Sequence, residues 1–95
     1  MSKIRSDATD KLFEAILSLG SVDECYDFFE DLCTIKELKD LSLRLEVAKM
    51  LNCGKSYNEI TALTGVSAAT ICRVGKCLNY GEGYKKVLSA TAERK

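Results

Sequence analysis

The chain is 95 residues long, 46% hydrophobic and 29% charged, and its 14 basic and 14 acidic residues cancel to a formal net charge of zero. Such a composition excludes disorder, no apolar run approaches a membrane span, and the N-terminus lacks a signal-peptide core; one small, soluble, cytoplasmic domain is expected. Five cysteines (Cys25, Cys33, Cys53, Cys72, Cys77) without histidine or a Cys-x-x-Cys pair exclude a zinc site, and they read as reduced, small apolar residues.

Proline is absent, so the chain is punctuated by helix caps instead. The periodicity predicts a first helix from about Ser6 to Leu19, with Leu12, Phe13, Ile16, Leu17 and Leu19 on its apolar side and Gly20 ending it. Ser21-Val-Asp-Glu24 has the spacing of a capping box and starts a second helix carrying Cys25, Tyr26, Phe28, Phe29 and Leu32. Thr34-Ile-Lys-Glu37 repeats the device and starts a long third helix to about Asn52. Its apolar stripe is Leu38, Leu41, Leu45, Ala48, Met50 and Leu51. Cys53-Gly54-Lys55 breaks the chain again.

Residues 56–78 then read as two short helices about a tight turn. Ser56 and Glu59 form a third capping box, Gly65 supplies a left-handed stop, and Ser67 caps the following helix. Ile60, Leu63, Val66, Ile71 and Val74 fall where two crossed helices must grip each other, while Ala68, Ala69 and Thr70 are left outside. That is the pattern of a helix-turn-helix, whose second helix enters the major groove. Asn79 to Gly83 reads as a turn, and a last helix follows over residues 84–93. The architecture expected is all-α, with about six helices in a single domain over residues 1–95.

Charge is unevenly spread. Asp7, Asp10, Glu14, Asp23, Glu24, Asp27, Glu30 and Asp31 crowd residues 6–31 against Lys11 alone. Lys49, Lys55, Arg73, Lys76, Lys85, Lys86, Arg94 and Lys95 dominate the second half. A basic end presented to phosphate fits this asymmetry. The heavy apolar load of the first two helices exceeds what one short helical unit needs, so residues 6–52 are expected to dimerise. A two-fold dimer would set two recognition helices about 34–36 Å apart, one turn of DNA.

Three stretches carry a resemblance: Leu41-Ser-Leu-Arg44, Ser56-x-x-Glu59 and Gly65-x-x-x-Ala69-Thr70-Ile71-x-Arg73, the last keeping glycine, small residue, threonine, isoleucine and arginine in one register. Through them the segment from Thr34 to Leu78 resembles the Trp repressor family, particularly its regulators of unassigned effector, with one residue fewer between Arg44 and Ser56. The resemblance implies an intertwined homodimer with a helix-turn-helix head on each side. It also implies a ligand site between core and head. There Arg44 and Arg73 occupy the positions of two arginines that sandwich an aromatic ring, Thr34 that of a threonine holding the amino group, and Cys77 that of a serine at the ligand's polar end. Val74 stands where the family has a glycine. The added bulk, with the loss of the serine, points to a small effector other than tryptophan.

On the DNA face, Tyr57, Asn58 and Thr61 stand where the family carries glutamine, arginine and lysine. Lys55, Ser56, Thr70, Arg73 and Lys76 suit phosphates, and Ser67, Ala68, Ala69 and Cys72 lie where the recognition helix nears the bases. A sequence-specific transcriptional regulator acting on double-stranded DNA as a homodimer is therefore expected. No cofactor, metal, membrane or catalytic role is expected, since histidine, a nucleophile elbow and a phosphate loop are all missing. The near-neutral charge keeps one alternative open: an interaction module that retains the fold without binding DNA.

Overall fold

A computed structural model describes residues 3–92, over which six helices and no strand form. They are α1 (Asp7–Leu17), α2 (Val22–Leu32), α3 (Ile35–Asn52), α4 (Tyr57–Thr64), α5 (Ala68–Tyr80) and α6 (Gly83–Ala92). The expected all-α architecture is present, with shifted boundaries. α5 runs through Asn79 and Tyr80, which the sequence assigns to a turn, and residue 93 of the expected last helix lies outside the described residues.

Side-chain caps set the helix starts. Ser6 accepts the amide of Thr9 at 3.0 Å, and Thr34 accepts that of Glu37 at 3.1 Å while the Glu37 carboxylate takes the Thr34 amide at 2.8 Å. The Ser21 box is offset by one residue. Ser21 accepts the Glu24 amide at 3.1 Å, yet the Glu24 carboxylate accepts the amide of Gly20 at 2.8 Å rather than that of Ser21. Gly20, expected to end a helix reaching Leu19, lies beyond the end of α1. That helix closes at Ser18, whose hydroxyl donates to the Ala15 carbonyl at 2.6 Å. The positive φ values belong to Gly54 (86°) and Gly65 (74°). At Gly54 the amide of Lys55 returns to the Met50 carbonyl and that of Gly54 to the Leu51 carbonyl, each at 3.0 Å. This Schellman closure satisfies the last carbonyls of α3.

The chain divides into two compact units, the first ending at Leu38 and the second beginning at Lys39. In the first, α1 and α2 have no fully buried residue. Leu12, Ile16, Phe28 and Phe29 are half-buried, the two rings meeting edge to face at 5.7 Å, while Phe13, Leu17, Val22, Tyr26 and Leu32 are exposed.

The second unit holds the core. Val47, Ala48, Ile60, Ile71, Val74, Leu78 and Leu88 are buried, with Leu45, Met50, Leu51, Val66 and Tyr84 packed against them. Three expectations are corrected here. Leu63 does not grip α5 and is 63% exposed, because Ile60 alone of α4 turns inward. Leu41, on the predicted stripe of α3, is 46% exposed, whereas Val47, off that stripe, is fully buried. Val47 and Ala48 are adjacent, so this part of α3 is covered across a wider arc than one stripe. Finally, Cys53, Cys72 and Cys77 are exposed, and only Cys25 and Cys33 are half-buried, so most of the cysteines do not serve as apolar filling.

Candidate nucleic-acid interface and ligand cleft

The geometry of the head starts at its first cap. Ser56 accepts the Glu59 amide at 3.2 Å, and the Glu59 carboxylate accepts the Ser56 amide at 3.1 Å, so both halves of the box are present. The backbone and hydroxyl hydrogen bonds from Ser56, with a smaller attraction from Lys55, hold the Glu59 carboxyl below its ordinary value. A folded-state pKa below the unfolded one stabilises the fold above the unfolded value, and that stability is lost as pH falls through the folded value. Glu59→Gln keeps an acceptor but removes the titration. Wild type is therefore expected to melt higher than Glu59→Gln near neutrality, and the gap should close as pH falls below the glutamate range. Thermal melts over a pH series check this, and a gap independent of pH would contradict it.

The turn between α4 and α5 is built from Thr64, Gly65 and Ser67. The Thr64 hydroxyl donates to the Ile60 carbonyl at 2.7 Å and accepts the Val66 amide at 3.1 Å. The left-handed Gly65 sends its amide to the Thr61 carbonyl at 2.8 Å. Ser67 accepts the Thr70 amide at 3.3 Å, and its hydroxyl donates to the Thr70 hydroxyl at 3.2 Å. The Ser67 hydroxyl is thus engaged within the cap as donor and acceptor, and the Thr70 hydroxyl as acceptor.

Along α5, Ile71, Val74 and Leu78 are buried while Ala68, Ala69, Cys72, Arg73 and Lys76 are exposed. At about 100° per residue, Ala69 and Lys76 lie opposite Ile71 and Leu78, with Cys72 and Arg73 flanking them. Small side chains therefore occupy the first turns of the outward face, and the cations follow one and two turns later. Arg73 and Lys76 make no ion pair among the described residues. Lys55 and Asn58 are also exposed.

Tyr57 behaves differently from its neighbours. Its hydroxyl lies 3.5 Å from where a Cβ on Gly75 would stand, so the phenol reaches across to the middle of α5. A Gly75 Cβ would also meet Leu51 at 3.7 Å, and both are ordinary contacts. Gly75→Ala should then be accommodated and raise stability by about 0.5–1 kcal/mol, the helix-interior cost of glycine. Urea denaturation reads this directly, and a loss of stability would mean that the phenol cannot yield.

The four residues expected around a ligand are distributed over several places. Arg44 lines a cleft of about 170 Å³ with Asp40, Leu43, Val66 and Thr70. Cys77 instead lines an apolar groove of about 410 Å³ with Leu45, Gly81, Gly83, Tyr84 and Val87. Arg73 is exposed on α5, and Val74 is 2% exposed within the core. Thr34 belongs to the first unit, where its amide, hydroxyl and carbonyl serve the start of α3. Asp40 was missed in the sequence. Its position one helical turn before Arg44 is the signal that would have placed both on the cleft wall.

Comparison with known proteins agrees with this geometry. A family model described as Trp repressor protein matches residues 7–92. The chain is 50% identical over 94 residues to the uncharacterized protein YerC of Bacillus subtilis (strain 168), covering 98% of this chain and 90% of that protein. A TrpR-like protein from Eubacterium eligens ATCC 27750 superposes with a TM-score of 0.90 at 52% identity, covering 95% of this chain and 94% of the other. A Staphylococcus aureus structure provisionally described as a Trp repressor superposes with a TM-score of 0.89 at 46% identity, covering 95% and 91%.

Proposed function

This chain belongs to the Trp repressor family, and we propose that it is a sequence-specific, DNA-binding transcriptional regulator that works as a homodimer. The observation that carries this reading is the head itself. A serine-capped helix, a left-handed glycine turn and a second serine-capped helix present an exposed face ending in cations that make no ion pair among the described residues. In the proposed complex α5 enters the major groove. Arg73, Lys76, Lys55 and the Ser56 hydroxyl meet phosphates, and Ala68, Ala69 and Cys72 approach base edges. Ser67 and Thr70 hold the tip of α5, and Asn58 lies beside the backbone that α4 crosses. Tyr57, 44% exposed, reaches α5 with its hydroxyl and meets the DNA backbone beside Asn58.

The homodimer is supported by the exposed apolar side chains of the first unit. Phe13, Leu17, Val22, Tyr26 and Leu32 stand open in a single chain. Side chains of that size are expected to be covered by a second copy. A small ligand other than tryptophan is proposed to modulate the regulator through the cleft at Arg44. A ligand that binds better when the heads are suitably spaced shifts the population toward the DNA-competent form. The protein is read as cytoplasmic and without catalytic activity. No described helix is long and apolar enough to cross a membrane.

Selection of sheared genomic DNA by the purified chain at ~0.1 M salt, followed by sequencing, tests the proposal. Recovery of a shared site by wild type and its loss in Arg73→Glu is the expected result. Uniform recovery, equal to that of Arg73→Glu and unchanged on adding cell-derived small molecules, would favour a protein-interaction module instead.

A further inference from the structure

From the outward face of α5 we infer that the head reads thymine through its C5-methyl group, so that its half-sites are rich in A·T pairs with thymines facing the recognition helix. The inference rests on the DNA-binding reading above and specifies what that face recognises.

The chemistry available at the tip decides the point. Bidentate readout of guanine, adenine or cytosine needs a guanidinium, ammonium, carboxamide or carboxylate aimed at the base edge. Ala68 and Ala69 supply only methyl groups, and both are exposed. Ser67 donates its proton to the Thr70 hydroxyl and accepts the Thr70 amide, while the Thr70 hydroxyl keeps its own proton but belongs to a half-buried side chain on the wall of the Arg44 cleft. Cys72, the next outward position, offers a thiol, a weak donor of largely apolar character. The charged residues on the same face, Arg73 and Lys76, come later in the helix. The N-terminal residues of a recognition helix are the ones that meet base edges, so these cations fall to the phosphates.

A methyl-lined tip has one complement in the major groove. The C5-methyl of thymine is the apolar group that a base pair displays there. Short side chains also let the helix backbone approach closely, which brings the alanine Cβ atoms within contact of that methyl. Each methyl taken out of water is worth about a fourfold change in affinity. Two alanines on each of two heads would therefore multiply to a large effect.

The test uses the genomic fragment enriched by the full chain, amplified once with thymidine triphosphate and once with deoxyuridine triphosphate. The two products differ only in the C5-methyl groups. Affinity is expected to fall at least tenfold on the uracil fragment, with the salt dependence unchanged. An Ala68→Ser/Ala69→Ser chain should bind the two fragments within about twofold of each other, as expected when the methyl contacts it would lose are the ones worth about fourfold each. Equal binding of both fragments by wild type would overturn the inference and leave the DNA-binding reading standing. A uracil penalty that persists undiminished in the double variant would assign the effect to DNA stiffness and would also overturn it. Failure to enrich any fragment, with or without added cell-derived small molecules, would remove both readings together.

Discussion

Ile71→Ala is expected to destabilise the second unit by about 2–5 kcal/mol, the range for truncating a fully buried isoleucine. Ile71 has no exposed surface and shares its core with Val47, Ala48, Ile60, Val74, Leu78 and Leu88. α4 contributes one buried side chain to that core, Ile60, so the crossing of the two head helices depends on few groups. The loss is large against a total stability of about 5–15 kcal/mol for a small domain. Urea denaturation followed by circular dichroism should show a lower midpoint with little change in slope. Leu63→Ala is the matched control. That side chain is 63% exposed, and its removal should change stability by no more than about 0.5 kcal/mol. A cost at Leu63 equal to that at Ile71 would contradict the packing described for α4.

Replacing Arg73 and Lys76 together by alanine should leave stability nearly unchanged and greatly weaken DNA binding. Both side chains are exposed and make no ion pair among the described residues, so the fold loses little. Each cation that neutralises a phosphate contributes about 0.9 to the slope of log affinity against log salt. Removing two per head should lower that slope by about 1.8 per head, equivalent to roughly sixtyfold per head at ~0.1 M relative to 1 M salt. The defect should therefore shrink as salt is raised. A titration on the enriched fragment at several salt concentrations reads both quantities. An unchanged slope would remove these two residues from the phosphate-binding face.

Much of this architecture is legible in the sequence because its signals are local. Ser21, Thr34, Ser56 and Ser67 each accept an amide three residues on, and Gly65 adopts the left-handed conformation that its place after Thr64 suggests. Such features depend on side chains within a turn of one another. The errors arise where distant residues decide. Leu63 has the spacing of a core residue, yet α4 is short and offers one inward position. Val47 is buried because the second unit covers more of α3 than a single stripe. Glu24 reaches Gly20 in place of Ser21, a choice between two neighbouring amides that spacing does not distinguish. α5 continues to Tyr80 because its last amides still find partners, the Gly81 amide donating to the Cys77 carbonyl at 2.8 Å.

The candidate site shows the same division. The exposed face of α5 follows from helical periodicity once Ile71, Val74 and Leu78 are recognised as buried. The cleft at Arg44 does not, because it joins α3 to Val66 and Thr70, more than 20 residues away in the chain. Arg44 and Cys77 were expected to serve one ligand, but they line different cavities, which only the packing of α5 and α6 reveals. Tyr57 illustrates a further limit. Its position at the start of α4 suggests a DNA contact, and the residue is 44% exposed; the approach of its hydroxyl to Gly75 is a second contact that spacing does not show.

Hydroxyl-radical footprinting of the enriched fragment tests the dimeric, sequence-specific reading most directly. Two protected patches are expected on one face of the duplex, related by two-fold symmetry and centred about 34–36 Å apart. Arg73→Glu should abolish both. A single unsymmetrical patch would contradict a dimer with two reading heads, and uniform cleavage at saturating protein would contradict sequence-specific binding altogether.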